Sequence, residues 1–166
     1  MASLERNGRK NALVIDPSER WTVQDSRDLY DIAAWGKGYF SIDDHGHVRV
    51  HPTKEPHRSI DLKELVDKLV LRGISLPILI RFAEILKHRL GELHETFSQA
   101  IADHKYTGRY ICVYPIKVNQ QRQVVEEVLE FGRPLGFGLE AGSKPELLAV
   151  MALADNTTPI ICNGFK

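Results

Sequence analysis

The chain has 166 residues, 43% of them hydrophobic, with 22 Lys and Arg balancing 22 Asp and Glu, so it can build a globular core. Zero formal charge with the signs mixed along the sequence leaves no electrostatic footprint for a phosphate backbone or an anionic lipid surface, and neither nucleic acid nor membrane is expected as a partner. No apolar run approaches the roughly 20 residues that span a bilayer, and the first 20 residues lack the apolar segment of a secretory signal, which makes a cytoplasmic protein the expectation.

Residues 1–20 are polar and aperiodic and read as a flexible N-terminus. Residues 21–58 read as a small module and linker: a short helix around Gln24–Ala34, then a hairpin of Gly38–Ile42 and His47–Val50 turned by Asp43-Asp44-His45-Gly46. His45, His47 and His51 lack the second cluster a closed metal site needs and read as solvated surface histidines. From residue 59 to 166 the pattern changes. Asp61 caps a helix with Leu62, Leu65, Val66, Leu69 and Val70 on one face and Gly73 as its stop.

Strand and helix then alternate: a strand over Pro77–Phe82, a helix over Glu84–His104, a strand over Arg109–Val118, and a helix capped by Asn119 with Val124, Val125, Val128 and Leu129 on one side. Gly132 and Pro134 end that helix, Leu135–Glu140 is a third strand, Ser143 opens another helix, and Pro159–Cys162 begins a fourth strand. Cys112 and Cys162 lie in apolar strands and read as reduced core thiols. This order implies parallel strands covered by helices. A doubly wound nucleotide-binding sheet would lean on Gly136, Gly138 and Gly142, whose spacing is not the dinucleotide fingerprint. The other architecture is the first half of a (β/α)8 TIM-type barrel, preceded by the small α+β segment. Four strands are half of what a barrel needs, so the expectation is an N-terminal piece of a longer enzyme.

The lysine strand carries the chemistry. With a side-chain period of two, Ile111, Val113, Pro115 and Lys117 share one face, so Lys117 is expected among apolar neighbours. Desolvation disfavours an ammonium, and the free amine is a nucleophile able to form a Schiff base with an aldehyde such as pyridoxal phosphate. The alternative is a lysine whose stem packs while its head stays wet. Pro115, lacking an N–H, marks either the end of the strand or a bulge.

Tyr114-Pro-Ile-Lys-Val-Asn-Gln-Gln121, followed by Val124-Val-Glu-Glu127, resembles the cofactor-lysine segment of the biosynthetic, pyridoxal-phosphate-dependent arginine decarboxylases, members of the alanine-racemase-like barrel group. Tyr39-Phe40, Leu76-Pro-Ile-Leu-Ile-Arg-Phe82, the run from Gly136 to Leu147 and Ile160-Ile-Cys-Asn-Gly164 resemble further landmarks of that family in the same order. The resemblance implies conversion of L-arginine to agmatine and carbon dioxide, the first step of a polyamine (putrescine and spermidine) route, through a Schiff base on Lys117. It also implies a magnesium-linked homo-oligomer, with no magnesium ligand assignable from the sequence. Glu140-Ala-Gly-Ser143 resembles an acid-bearing element near the cofactor in the related ornithine decarboxylases, so Glu140 and Ser143 are expected at the cofactor. Glu146 matches a further family acid, although Ser143-x-x-Glu146 is also a capping box. The family's phosphate loop, pyridine-nitrogen acid and substrate residues have no counterpart in these 166 residues, so this chain alone is expected to be inactive. Two other readings stand beside this one: a non-catalytic pyridoxal-phosphate-binding module, and a decarboxylase of another basic amino acid.

Overall fold

A computed structural model describes residues 20–164, so the flexible terminus expected before residue 20 and the tail residues Phe165 and Lys166 lie outside it. The chain divides into two compact units, one ending at Pro77 and the other beginning at Ile78.

The first unit contains α1 (Val23–Tyr30), α2 (Ile32–Gly36), β1 (Phe40–Ile42), β2 (Val48–Val50), β3 (Ile60–Asp61) and α3 (Leu62–Leu71). Thr22 caps α1 reciprocally: its hydroxyl accepts from Asp25 N–H while the Asp25 carboxylate accepts from Thr22 N–H at 2.7 Å. Where one helix was expected over Gln24–Ala34 there are two. Asp31 adopts φ 45°, a left-handed conformation that Asp tolerates better than most side chains, and the chain changes direction there. The expected hairpin forms, with Phe40 opposite Val50 and Ile42 opposite Val48. Its turn is held by Asp43, whose Oδ1 accepts from the N–H groups of His45 and His47, both at 2.9 Å. The third strand was not anticipated: Ile60 pairs with Val50 and Asp61 with Arg49. That pairing, with α3 packed on β2 and β3, puts the observed division after Pro77 instead of at the expected boundary between residues 58 and 59.

A polar knot fastens α3 to the hairpin. Asp61 is buried; its Oδ1 accepts from Glu64 N–H at 3.0 Å as the helix cap, and its Oδ2 lies 2.8 Å from His47 Nδ1. Arg49 Nη1 stands 3.7 Å from that same oxygen and 3.4 Å from Asp43 Oδ2. The Glu64 N–H, then His47, hold the Asp61 carboxyl below its ordinary range against the opposing effect of burial.

The second unit contains α4 (Ala83–Asp103), β4 (Val113–Pro115), α5 (Arg122–Gly132), β5 (Gly138–Ala141), α6 (Lys144–Leu153) and β6 (Ile160–Cys162). The strands form one parallel sheet in the order β4-β5-β6, joined by helical crossovers as the alternation predicted. All four residues of β5 are buried. Leu139, Ala141 and Val150 are fully covered, and Val128, with Val125 and Leu129, brings the apolar stripe of α5 onto the sheet around Ile116. Gly138 permits the close approach of β5 to the chain entering β6: a Cβ there would collide with the Pro159 carbonyl, which accepts from Leu139 N–H at 2.9 Å.

Three expectations fail in this unit. Pro77–Phe82 is not a strand: among the described residues it pairs with none, the outer edge of β4 staying open, and Leu79 is 80% exposed. Asn119 is not the cap of α5; Gln121 occupies that position, and the Asn119 side chain instead accepts from Gln121 N–H at 3.0 Å. Cys162 is exposed and Cys112 half-buried, so neither is a core thiol; both are free, and Cys162 sits on a strand with a single neighbour in the sheet.

Two outcomes are expected. Leu139→Ala empties a fully buried site and lowers stability by roughly 2–5 kcal/mol in urea unfolding. Because the folded Asp61 carboxyl titrates below its ordinary 3.8, its stabilisation is complete above that value and is lost as the pH falls through the lowered one. Asp61→Asn keeps a capping oxygen but removes the charge, so it lowers the Tm at pH 7, and the gap to the parent narrows in melts run below pH 3.8.

Candidate functional site

Parallel register decides which residues meet at the sheet's edge. Pro115 lies opposite Glu140 and Glu140 opposite Ile161, so the three strands end level, at their C-terminal ends. Two residues beyond those partners come Lys117, Gly142 and Asn163. The structure thus brings Lys117, Glu140 and Asn163 to one edge, as expected for residues at strand ends.

How Lys117 arrives there differs from the sequence reading. Strand pairing stops at Pro115, and Ile116–Val118 form a single 3₁₀ turn. The turn drives Ile116 into the core, 2% exposed, and breaks the alternation that placed Lys117 on an apolar face. Lys117 and Val118 are exposed in consequence, and Lys117 has no hydrogen-bond or ion-pair partner among the described residues. Burial of the lysine, the premise for its nucleophilicity, is not met here. Of the two outcomes considered for Pro115, the strand's end is the one observed.

Glu140 is the buried acid of the edge, 8% exposed, and its Oε1 has no hydrogen-bond partner among the described residues. A buried carboxylate oxygen left unpaired is costly, and β5 holds it there because every position of that strand is enclosed. Ser143 is the N-cap of α6 and accepts from Glu146 N–H at 3.4 Å. Glu146 reciprocates one residue earlier than a standard capping box, its Oε2 accepting from Gly142 N–H at 2.6 Å. Together they fix the bend that carries Glu140 into α6. Asn163 accepts from Gly164 N–H through its side chain and donates its own N–H to the Ala141 carbonyl at 3.0 Å.

Two features escaped the sequence reading. The Tyr114 hydroxyl donates to the Asn119 carbonyl at 3.2 Å, bridging the lysine turn, and Arg81 reaches Gln121 and Glu127. Contacts made across a turn, or over 40 residues, leave no periodic signal. A cleft of about 350 Å³ lined by Phe97, Ile101, Tyr106 and Tyr110 opens beside the N-terminal end of β4, the end opposite Lys117, and is mostly apolar.

The expected surface histidines also acquire partners. His51 Nε2 lies 2.8 Å from Ser41 Oγ, and Asp43, His47 and Asp61 place potential metal-ligating atoms within 4.8 Å of one another. The three do not fit magnesium, which favours an octahedron of oxygens. One ligand would be an imidazole, and the Arg49 guanidinium stands 3.4 Å from one carboxylate and 3.7 Å from the other, where its charge disfavours a cation.

No family model matches the chain. Curated relatives do: it is 58% identical over 147 residues to the biosynthetic arginine decarboxylase of Rhodopirellula baltica, an alignment covering 89% of this chain and 22% of that protein. It is 55% identical over 149 residues to the enzyme of the same name from Gloeobacter violaceus, covering 88% and 23%. The crystal structure of the biosynthetic arginine decarboxylase of Campylobacter jejuni superposes with a TM-score of 0.73 at 34% identity, over 82% of this chain and 22% of that one. The chain thus spans less than a quarter of the length of the relatives it matches. By sequence and by fold, what it carries is a segment homologous to the biosynthetic arginine decarboxylases.

Proposed function

We propose that this chain supplies the lysine-bearing segment of a carboxy-lyase that converts L-arginine to agmatine and carbon dioxide, feeding polyamine synthesis. The observation that carries the reading is the C-terminal end of the sheet: an exposed Lys117 on the turn after β4, with no partner among the described residues, and, two positions back in register on β5, the buried Glu140, whose Oε1 has no hydrogen-bond partner. A free amine and a protected acid suit the attachment of pyridoxal phosphate, which when bound acts as the electron sink for loss of carbon dioxide. Lys117 holds the cofactor. Glu140 would orient the lysine and hold or pass on a proton, while Ser143 and Glu146 would keep the bend after β5 in shape.

The same reading supplies the larger frame. Three parallel strands with α5 and α6 as crossovers are how a (β/α)8 barrel opens, and the segment before α4, with Leu79 80% exposed, becomes a barrel strand once later strands lie beside it. The chain is then an N-terminal segment of a polypeptide of the relatives' length, a homo-oligomer working in the cytoplasm. On its own it lacks the phosphate loop and the substrate-binding residues and turns over no arginine. No helix among the described residues is long and apolar enough to cross a membrane. Asp43, His47 and Asp61, the one candidate cluster among the described residues, do not suit magnesium, so no magnesium ligand is assigned to this segment.

Borohydride reduction of the full-length polypeptide carrying this segment, followed by peptide mapping, is expected to leave the cofactor's mass on the peptide containing Lys117. Lys117→Ala is expected to abolish the label and to lower kcat on the order of 10²–10⁴-fold. A label on any other lysine sinks the assignment.

A further inference from the structure

The turn that carries Lys117 is short and poorly held by its own hydrogen bonds. A single 3₁₀ turn has weak hydrogen-bond geometry, and a lysine on a four-carbon stem is aimed mainly by the backbone beneath it. At its start the turn is anchored by Ile116 in the core. At its end the anchor is different: the Tyr114 hydroxyl reaches forward over the turn and donates to the Asn119 carbonyl at 3.2 Å. The Tyr114 ring packs against the same cluster that buries Ile116, so the donor stands on a rigid base.

Beyond Asn119 the linkage continues. Its side chain accepts from Gln121 N–H at 3.0 Å, Arg81 Nη1 donates to Gln121 Oε1 at 3.5 Å, and Arg81 Nη2 pairs with Glu127 at 3.3 Å on the second turn of α5. Burial, the largest effect on it, raises the Tyr114 phenol above its ordinary range, so the hydroxyl keeps its proton and stays a donor at neutral pH. A buried tyrosine generally finds some partner for its hydroxyl. Here the partner is the backbone two residues past the reactive lysine, on the far side of the turn from the ring.

We propose that Tyr114 is a positioning residue for Lys117, a clasp across the lysine turn that Arg81 secures through Gln121. The proposal rests on the assignment of Lys117 as the cofactor lysine. It makes the phenol act through the placement of the amine, with no contact to substrate required.

Tyr114→Phe removes one oxygen and leaves the ring in place, which separates the clasp from the core. In the full-length polypeptide carrying this segment, stripped of cofactor, the rate of covalent capture of added pyridoxal phosphate is followed by absorbance, and the captured lysine is identified by borohydride reduction and peptide mapping. Tyr114→Phe is expected to slow capture roughly two- to tenfold, the range one neutral hydrogen bond supports, with the label still on Lys117 and the Tm close to that of the parent. Arg81→Gln is expected to slow capture in the same direction by a smaller factor. Val50→Ala, a core change in β2 of the first unit, controls for lost stability: it lowers the Tm and leaves the capture rate unchanged. Capture at the parent rate by Tyr114→Phe, with the label on Lys117, overturns the clasp and leaves the lysine assignment standing. Slowing that tracks the Tm across all three variants reduces Tyr114 to a core residue and equally overturns it. A label on another lysine in the parent removes the lysine assignment and the clasp with it.

Discussion

The enclosure of β5 is the constraint from which the rest of the second unit follows. Its four residues are buried because helices cover the strand and parallel neighbours flank it on both edges. Leu139 and Ala141 belong in such a place; Glu140 does not, and the ladder gives it no choice. Its carboxylate is carried into a desolvated position at the C-terminal end of the sheet with one oxygen unpaired. Natural sequences put up with that cost where a charge has work to do, and the level strand ends put the lysine turn beside it.

The first unit solves a different problem with the same economy of residues. Two- and three-residue strands are too short to be stable alone, and α3 presents no fully buried residue. What fixes them is the Asp61 carboxylate, which caps α3 with one oxygen and engages His47 with the other, while Arg49 supplies the balancing charge to Asp43 and Asp61. One buried acid thereby joins helix, hairpin and turn. The Arg49 guanidinium beside these acids supplies one positive charge within the cluster.

Much of this was legible from residue types, and what was not has identifiable causes. Asp61 and Ser143 were read correctly as caps, since capping is a local property of three or four residues. The hairpin turn at Asp43–Gly46 and the parallel alternation after α4 were legible for the same reason. Two of the failures were questions of partners. Pro77–Phe82 has strand composition but no strand beside it, and Ile60–Asp61 has little strand signal but a free edge of β2 to join. At Ile116 the period of two gave way because a proline had ended the ladder and the core had room for one more side chain, which no alternation pattern encodes.

The exposure of Lys117 reshapes the chemical argument. A lysine can be made reactive by desolvation or by placement, and the sequence suggested the first. The segment as folded offers the second: the amine stands in the open on a turn held by Ile116 below and Tyr114 across, with an acid already desolvated at the neighbouring strand end. In the proposed enzyme these tasks are divided along the chain. This segment contributes geometry, and the cover that excludes water from the amine comes from parts of the polypeptide outside it. That division accounts for the apolar side chains left open around the same unit, Val118 at 71%, Leu148 at 69% and Met151 at 61%, which have the character of a surface shaped to be covered. A lysine buried by its own strand would be reactive before the rest of the site existed. In the proposed enzyme, one raised on a clasped turn has its position set by this segment, while its desolvation is a separate task.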